Sequence, residues 1–248
     1  DVTLHVRAGE IVGVCGAAGA GKTTLLRCAA AALRPDRGEV RWFGVPASAE
    51  ARRECGVAFV APCPPHHAFL TARQSLEHRA GDAKAIPPES DVRALLDRAG
   101  LARVAHRRLS TLSRGALVRL AVARALRGHP SLVLLDGAME GLDARWRTAL
   151  ALLLRTVATD GVACVVAARD YAVLRGIADR IVTLADGRVA SERCAISSGG
   201  EHTPWAIAAT SDRAARAASR VAEAVAPGGT GAVPPSAPPS VDSPSRAP

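Results

Sequence analysis

The stretch Gly16-Ala17-Ala18-Gly19-Ala20-Gly21-Lys22-Thr23 fits the pattern G-x-x-x-x-G-K-[ST] at every fixed position. That pattern restricts the architecture sharply, because it works between a buried strand and the start of a helix. Ile11-Val12-Gly13-Val14-Cys15 reads as the strand, and Thr24-Leu25-Leu26-Arg27-Cys28-Ala29-Ala30 with its alanine-rich continuation reads as the helix. Small residues keep the loop free of bulk, so consecutive backbone N–H groups turn inward around an anion. The helix points the positive end of its dipole at the same place. The segment therefore reads as a seat for the triphosphate tail of a nucleotide. Lys22 supplies positive charge to the β- and γ-phosphates, and the Thr23 hydroxyl is placed to ligate Mg²⁺.

Strand-like and helical runs alternate through most of the chain, which predicts an α/β fold with a mostly parallel sheet between layers of helices. Leu132-Val133-Leu134-Leu135, Val162-Ala163-Cys164-Val165-Val166 and Arg180-Ile181-Val182-Thr183-Leu184 are apolar enough to be strands buried on both faces. Val2 to Val6, Gly38 to Gly44 and Val57 to Val60 also read as strands, the last ended by Pro62. Trp42 reads as packing. From Thr71 to about Arg127 the pattern is mainly helical, broken near Pro87-Pro88. The 248 residues suit one large domain, alone or with an appendage. With aromatics at 3%, the core must be built from Ala, Val and Leu. The predicted organisation is a nucleotide-binding domain over 1–196, a small strand-and-helix segment over 197–226, and a Pro/Ser/Gly/Ala-rich tail over 227–248 expected to be disordered. The chain begins with Asp1 rather than Met, and upstream sequence is expected to be missing.

The net charge of +9 rests almost wholly on arginines, and they are scattered rather than clustered, with few aromatics between them. That argues for a compositional bias and against a nucleic-acid surface. Cys15, Cys28, Cys55, Cys63, Cys164 and Cys194 form no C-x-x-C pair. Cys15 and Cys164 lie in strand-like runs and read as buried thiols of a reducing cytosol. No apolar run approaches the roughly 20 residues needed to span a bilayer, and no signal peptide is visible.

A phosphate loop needs a partner carboxylate to complete Mg²⁺ coordination, and Asp136 follows directly on the Leu132–Leu135 strand where such a group belongs. Further segments follow in order. They are Leu70-Thr71-Ala72-Arg73-Gln74-Ser75-Leu76, then Leu109-Ser110-Thr111-Leu112-Ser113-Arg114-Gly115-Ala116 with Arg119 to Leu126, then Gly141-Leu142-Asp143, and finally Ala178 to Arg188. This ordered set resembles the ATP-binding subunit of an ABC transporter, over Asp1 to about Glu192. The resemblance implies a P-loop NTPase fold with a helical subdomain at about 63–127. It implies two ATP-binding subunits in a head-to-tail sandwich, each ATP lying between the phosphate loop of one and the signature segment of the other, with closure and opening driving a membrane permease. It implies Gly16, Ala17, Ala18, Gly19, Ala20, Gly21, Lys22, Thr23 and Thr24 on the phosphates, Thr23 and Asp136 around Mg²⁺, Ser113 and Gly115 facing ATP on the opposing subunit, and Asp143 at the subunit boundary. A cytoplasmic location, peripheral on the inner face of the cell membrane, follows from the same likeness.

The chain departs from the family pattern where the chemistry is done. Gly137 stands where the family has the glutamate that polarises the attacking water, and a positioned base of that kind contributes about 10²–10⁴-fold. Glu140 lies close by in sequence, at a position that is small and polar in the family, and is expected to lean elsewhere. Arg169 replaces the family's late histidine; it can donate to a phosphate oxygen but cannot accept a proton. Pro62 replaces a glutamine, and Arg114 and Ala116 replace the signature's first glycine and its glutamine. A cation at Arg114 would either crowd the partner's ATP or pair with it. The position of the adenine-stacking aromatic falls upstream of Asp1. The resulting expectation is a subunit that holds Mg-ATP and hydrolyses it weakly or not at all, beside a different, catalytically complete subunit, with no role in nucleic-acid binding. An active transport ATPase using a substitute base and a non-functional truncated product are the alternatives.

Overall fold

A computed structural model describes residues 2–62, 67–77 and 89–194. Its centre is a six-stranded sheet in the order β4-β5-β6-β1-β7-β8. The strands are β1 (Ile11–Cys15), β4 (Val57–Val60), β5 (Leu132–Asp136), β6 (Ala163–Ala168), β7 (Arg180–Ala185) and β8 (Arg188–Cys194). The first five positions in that order run parallel, and β8 closes the edge antiparallel to β7. A separate short hairpin joins β2 (Arg41–Trp42) to β3 (Val45–Pro46).

The central strands are buried on both faces, as their unbroken apolar runs require. Successive side chains point to opposite faces. Ile11 and Cys15 of β1, Val133 and Leu135 of β5, and Cys164, Val166 and Ala168 of β6 enter one core layer. Val12 and Val14, Leu134, and Val165 and Ala167 enter the other. The first layer is covered by α5 (Arg114–Arg127), α6 (Ala144–Thr159) and α7 (Tyr171–Arg175). The second is covered by α1 (Lys22–Ala29), α2 (Ala49–Glu54) and Trp42. A third apolar cluster unites α3 (Ala72–Glu77), α4 (Glu89–Arg98) and the other face of α5. Helix α5 thus ties the helical region to the sheet: Val118 and Val122 pack inward, while Ala116, Leu120 and Ala123 pack outward.

Several sequence expectations change. Val2 to Val6 has the alternation of a strand, with Val2, Leu4 and Val6 half-buried on the second layer, but it is not part of the sheet. Gly38 to Gly44 yields only the two residues of β2, because Phe43 (φ 52°) and Gly44 (φ 86°) both turn left-handed and reverse the chain at once. The alanine-rich continuation of α1 is not helical. Ala31 is left-handed (φ 50°), and the Trp42 indole N–H donates to the Ala29 carbonyl at 2.9 Å, capping the helix end. Strand β8 is exposed along most of its length and carries no apolar run that would announce it. Cys15, Cys55 and Cys164 are buried free thiols, and burial pushes the Cys164 thiol up to about 12. The break expected near Pro87-Pro88 and the segments over 197–226 and 227–248 lie outside the described residues. Among the described residues no helix is long and apolar enough to cross a membrane.

Candidate functional site

The carboxyl ends of β1, β5 and β6 stand side by side. In register, Cys15 pairs with Ala168, and Asp136 pairs with Ala167. The phosphate loop after β1, the Asp136–Gly137 step after β5 and Arg169 after β6 therefore share one edge of the sheet. Chain segments separated by more than a hundred residues converge there because three parallel strands are adjacent.

The loop geometry is set by backbone requirements. Gly16 passes so close to the end of β7 that a Cβ would lie 2.5 Å from the Leu184 carbonyl oxygen, so no side chain fits. Gly21, left-handed at φ 99°, is the N-cap of α1 and offers no side chain to its amides. The first turn of α1 holds no acidic residue, so its N–H groups and dipole remain available to an anion. Ala17, Ala18 and Gly19 are exposed, and Gly19 has open space where a Cβ would be. The Lys22 ammonium donates to the carbonyls of Gly16 (2.7 Å) and Ala17 (2.8 Å), holding its charge against the loop. Thr23 is half-buried and Thr24 is exposed.

Asp136 is the one buried carboxylate among the described residues, at 3% exposure. Its Oδ2 is a buried oxygen with no hydrogen-bond partner. Burial pushes its carboxyl above the ordinary range. A hydrogen bond from Thr23 and the nearby charges of Arg27 and Lys22 act in the opposite direction, and Glu140 adds to the rise. An orphaned acidic oxygen next to a threonine hydroxyl fits a divalent cation, since hard oxygen ligands suit Mg²⁺. Thr23 and Asp136, chosen from sequence for that role, are thus brought together.

Gly137 is left-handed (φ 62°), so the residue after Asp136 turns sharply, and its N–H donates to the Ala167 carbonyl at 3.1 Å. A Cβ there would face Pro62 Cβ at 3.7 Å and a Glu140 carboxylate oxygen at 3.9 Å. Glu140 stays near this turn but is directed at Arg169. Its Oε1 accepts from the Arg169 backbone N–H at 3.1 Å, and its Oε2 lies 3.6 Å from Arg169 Nε. Opposite-charge changes at two departing positions are a signal that was present in the sequence but not joined. The Gly137 turn is why they meet: it folds the loop back over the end of β6.

Ser113 and Gly115 take a different place. Ser113 is the exposed N-cap of α5, its hydroxyl accepting from the Ala116 N–H at 3.3 Å. A Cβ on Gly115 would meet the Gly141 carbonyl at 3.0 Å, so the signature segment packs on the far end of the loop that begins at Asp136. Arg114 lies along Gly141, its Nε 3.4 Å and its Cγ 3.5 Å from where a Cβ would be, so the small residue at 141 makes room for the large one at 114. Asp143 caps α6, accepting from the Trp146 N–H at 2.9 Å.

Comparisons with known proteins agree with this geometry. The family model for ABC transporters matches residues 1–140. The methionine import ATP-binding protein MetN 2 of Salmonella choleraesuis is 34% identical over 202 residues, covering 76% of this chain and 58% of that protein. The sulfate/thiosulfate import ATP-binding protein CysA of Mesorhizobium japonicum is 33% identical over 201 residues, covering 76% and 57%. The chain thus spans somewhat over half the length of these relatives. An ATP-binding cassette solved as a dimer in a post-hydrolysis state with ADP and Pi superposes with a TM-score of 0.73 at 28% identity, over 80% of this chain and 90% of that one. A strand-loop-helix unit carrying the phosphate-loop pattern, a buried carboxylate two strands away in the sheet and a match over more than half its length together establish that this chain belongs to the ABC transporter ATP-binding family.

Proposed function

We propose that this chain is an ATP-binding subunit that holds Mg-ATP and turns it over slowly or not at all. It works beside a second, catalytically complete ATP-binding subunit and a membrane permease, at the inner face of the cell membrane. One contrast carries the proposal. Residues suited to grip phosphate and metal are kept at Gly16 to Thr24 and at Asp136, whose Oδ2 is buried without a partner, whereas the position beside Asp136 is a glycine with no group to polarise water. The loss of a positioned base lowers turnover by about 10²–10⁴-fold while leaving ground-state phosphate contacts intact. The relatives named above are import proteins, which supports an import permease as the membrane partner. Ser113 and Gly115 are proposed to face the nucleotide of the opposing subunit, from the exposed start of α5.

The test is ATP binding and steady-state hydrolysis by the purified protein with Mg²⁺. Binding without ordinary turnover is the expected result. Turnover on the order of 1 s⁻¹ or more, abolished by Lys22→Ala, rejects the proposal. A second reading, favoured by the Glu140 carboxylate oxygen lying 3.9 Å from where a Cβ at 137 would be, makes Glu140 a substitute base. It requires that Glu140→Gln abolish whatever turnover exists.

A further inference from the structure

Glu140 and Arg169 are joined at the edge where the phosphate loop opens. Arg169 directly follows Ala168, the register partner of Cys15, and Gly16 follows Cys15; the Cys15 thiol donates to the Arg169 carbonyl at 3.4 Å. Arg169 is therefore one strand from the first residue of the loop. Glu140 engages two donors of that single residue, the main-chain N–H and the guanidinium. Both are donors that a phosphate oxygen takes equally well. The pair is long on the guanidinium side (3.6 Å), and the Arg169 side chain is 69% exposed, so a more highly charged anion can displace the carboxylate.

We propose that Glu140 is a built-in competitor for the terminal phosphate of a bound nucleoside triphosphate, and that Arg169 is the group for which the two compete. The inference rests on the reading that this chain binds Mg-nucleotide. The loop amides and the β-phosphate contact of Lys22 serve a diphosphate as well. A cation outside the loop adds a contact that only a third phosphate reaches. With Glu140 on it, Arg169 is neutralised, and a triphosphate must displace the carboxylate before it gains the contact. A diphosphate does not reach the pair and is indifferent to it. The pair thus sets the preference between triphosphate and diphosphate. The glycine at 137 belongs to the same arrangement: the Glu140 carboxylate already lies 3.9 Å from where a side chain at 137 would begin, so a glutamate there would place a second anion in the same space.

The experiment measures dissociation constants of Mg-AMPPNP and Mg-ADP, by calorimetry on the full chain, for the wild type, Glu140→Gln, Arg169→Ala and the double variant. An exposed ion pair is worth up to about fivefold in an equilibrium. Glu140→Gln is expected to tighten AMPPNP by about that factor, to leave ADP within about twofold, and to lose the gain at high salt as exposed charges are screened. In the Arg169→Ala background Glu140→Gln should add nothing. Arg169→Lys, which keeps the charge, should retain part of the triphosphate preference and guards against a folding defect of the alanine variant. Equal tightening of both nucleotides, no tightening of either, or a Glu140 effect that survives Arg169→Ala overturns the inference while the chain still binds nucleotide. Loss of turnover in Glu140→Gln with the nucleotide preference unchanged overturns it in favour of a base. Failure of the wild type to bind either nucleotide overturns the underlying reading and the inference with it.

Discussion

The phosphate loop and the segment from Gly137 to Asp143 follow strands that end at the same edge of one sheet, yet they are held in opposite ways. The loop is fixed by main chain. Gly16 has a carbonyl oxygen 2.5 Å from where its Cβ would be, and Gly21 caps a helix left-handed. Changing these residues damages the fold and the site together. The second segment is a turn whose function depends on side chains, and those can be exchanged while the turn persists: Glu140 now reaches Arg169, and Gly141 now accommodates Arg114. The comparison teaches that a loop held by its backbone and a turn held by exchangeable side chains share one sheet edge, which is what the proposed separation of phosphate binding from water activation requires.

The strongest way to break that comparison is Gly16→Ala. A Cβ 2.5 Å from a carbonyl oxygen forces the loop or the end of β7 to move. A cost of about 3 kcal/mol or more, read from denaturant unfolding, and loss of nucleotide binding are expected. Ordinary stability in this variant would show that the loop is not held by its backbone. Lys22→Ala removes a charge and the two hydrogen bonds to the loop carbonyls. Nucleotide affinity should fall roughly 10- to 100-fold with the melting temperature of the nucleotide-free protein little changed.

Asp136→Asn sharpens the contrast through pH. Burial raises the folded-state carboxyl above its unfolded value, so the folded chain binds that proton more tightly. The associated stability is present at low pH and is lost as pH rises through the raised folded value. At neutral pH the ionised Asp136 therefore destabilises the metal-free fold. Asp136→Asn should raise the melting temperature without metal at neutral pH, with the difference shrinking in acid, and should remove the Mg²⁺-dependent part of nucleotide stabilisation. A metal-free variant less stable than the wild type at neutral pH contradicts this. The smallest effect belongs to Gly137→Ala: a left-handed residue with no close contact at its missing Cβ should cost about 1–2 kcal/mol while phosphate binding persists, measured by unfolding and nucleotide titration.

Much of this was legible in the sequence, and for identifiable reasons. The strands β1, β5, β6 and β7 announced themselves because both faces are buried, which demands unbroken apolar runs. The phosphate loop was legible because its spacing encodes backbone geometry, and Asp136 because it ends such a strand. Strand β8 was not legible: an exposed edge strand needs no apolar pattern. The early reversal at Phe43-Gly44 was missed because a left-handed phenylalanine is not written in any propensity. The Glu140–Arg169 pair was hidden because 29 residues separate its members, and only the turn at Gly137 and the adjacency of β5 and β6 bring them together.

The most direct test of the separation between grip and chemistry is a single-turnover mixture. Radiolabelled Mg-ATP is added to excess purified protein, and the nucleotide retained by the protein is identified over time. Recovery of the bound label as ATP, long after binding is complete, is the result this account requires. Conversion to ADP on the second timescale, from a preparation in which Lys22→Ala shows none, would contradict it.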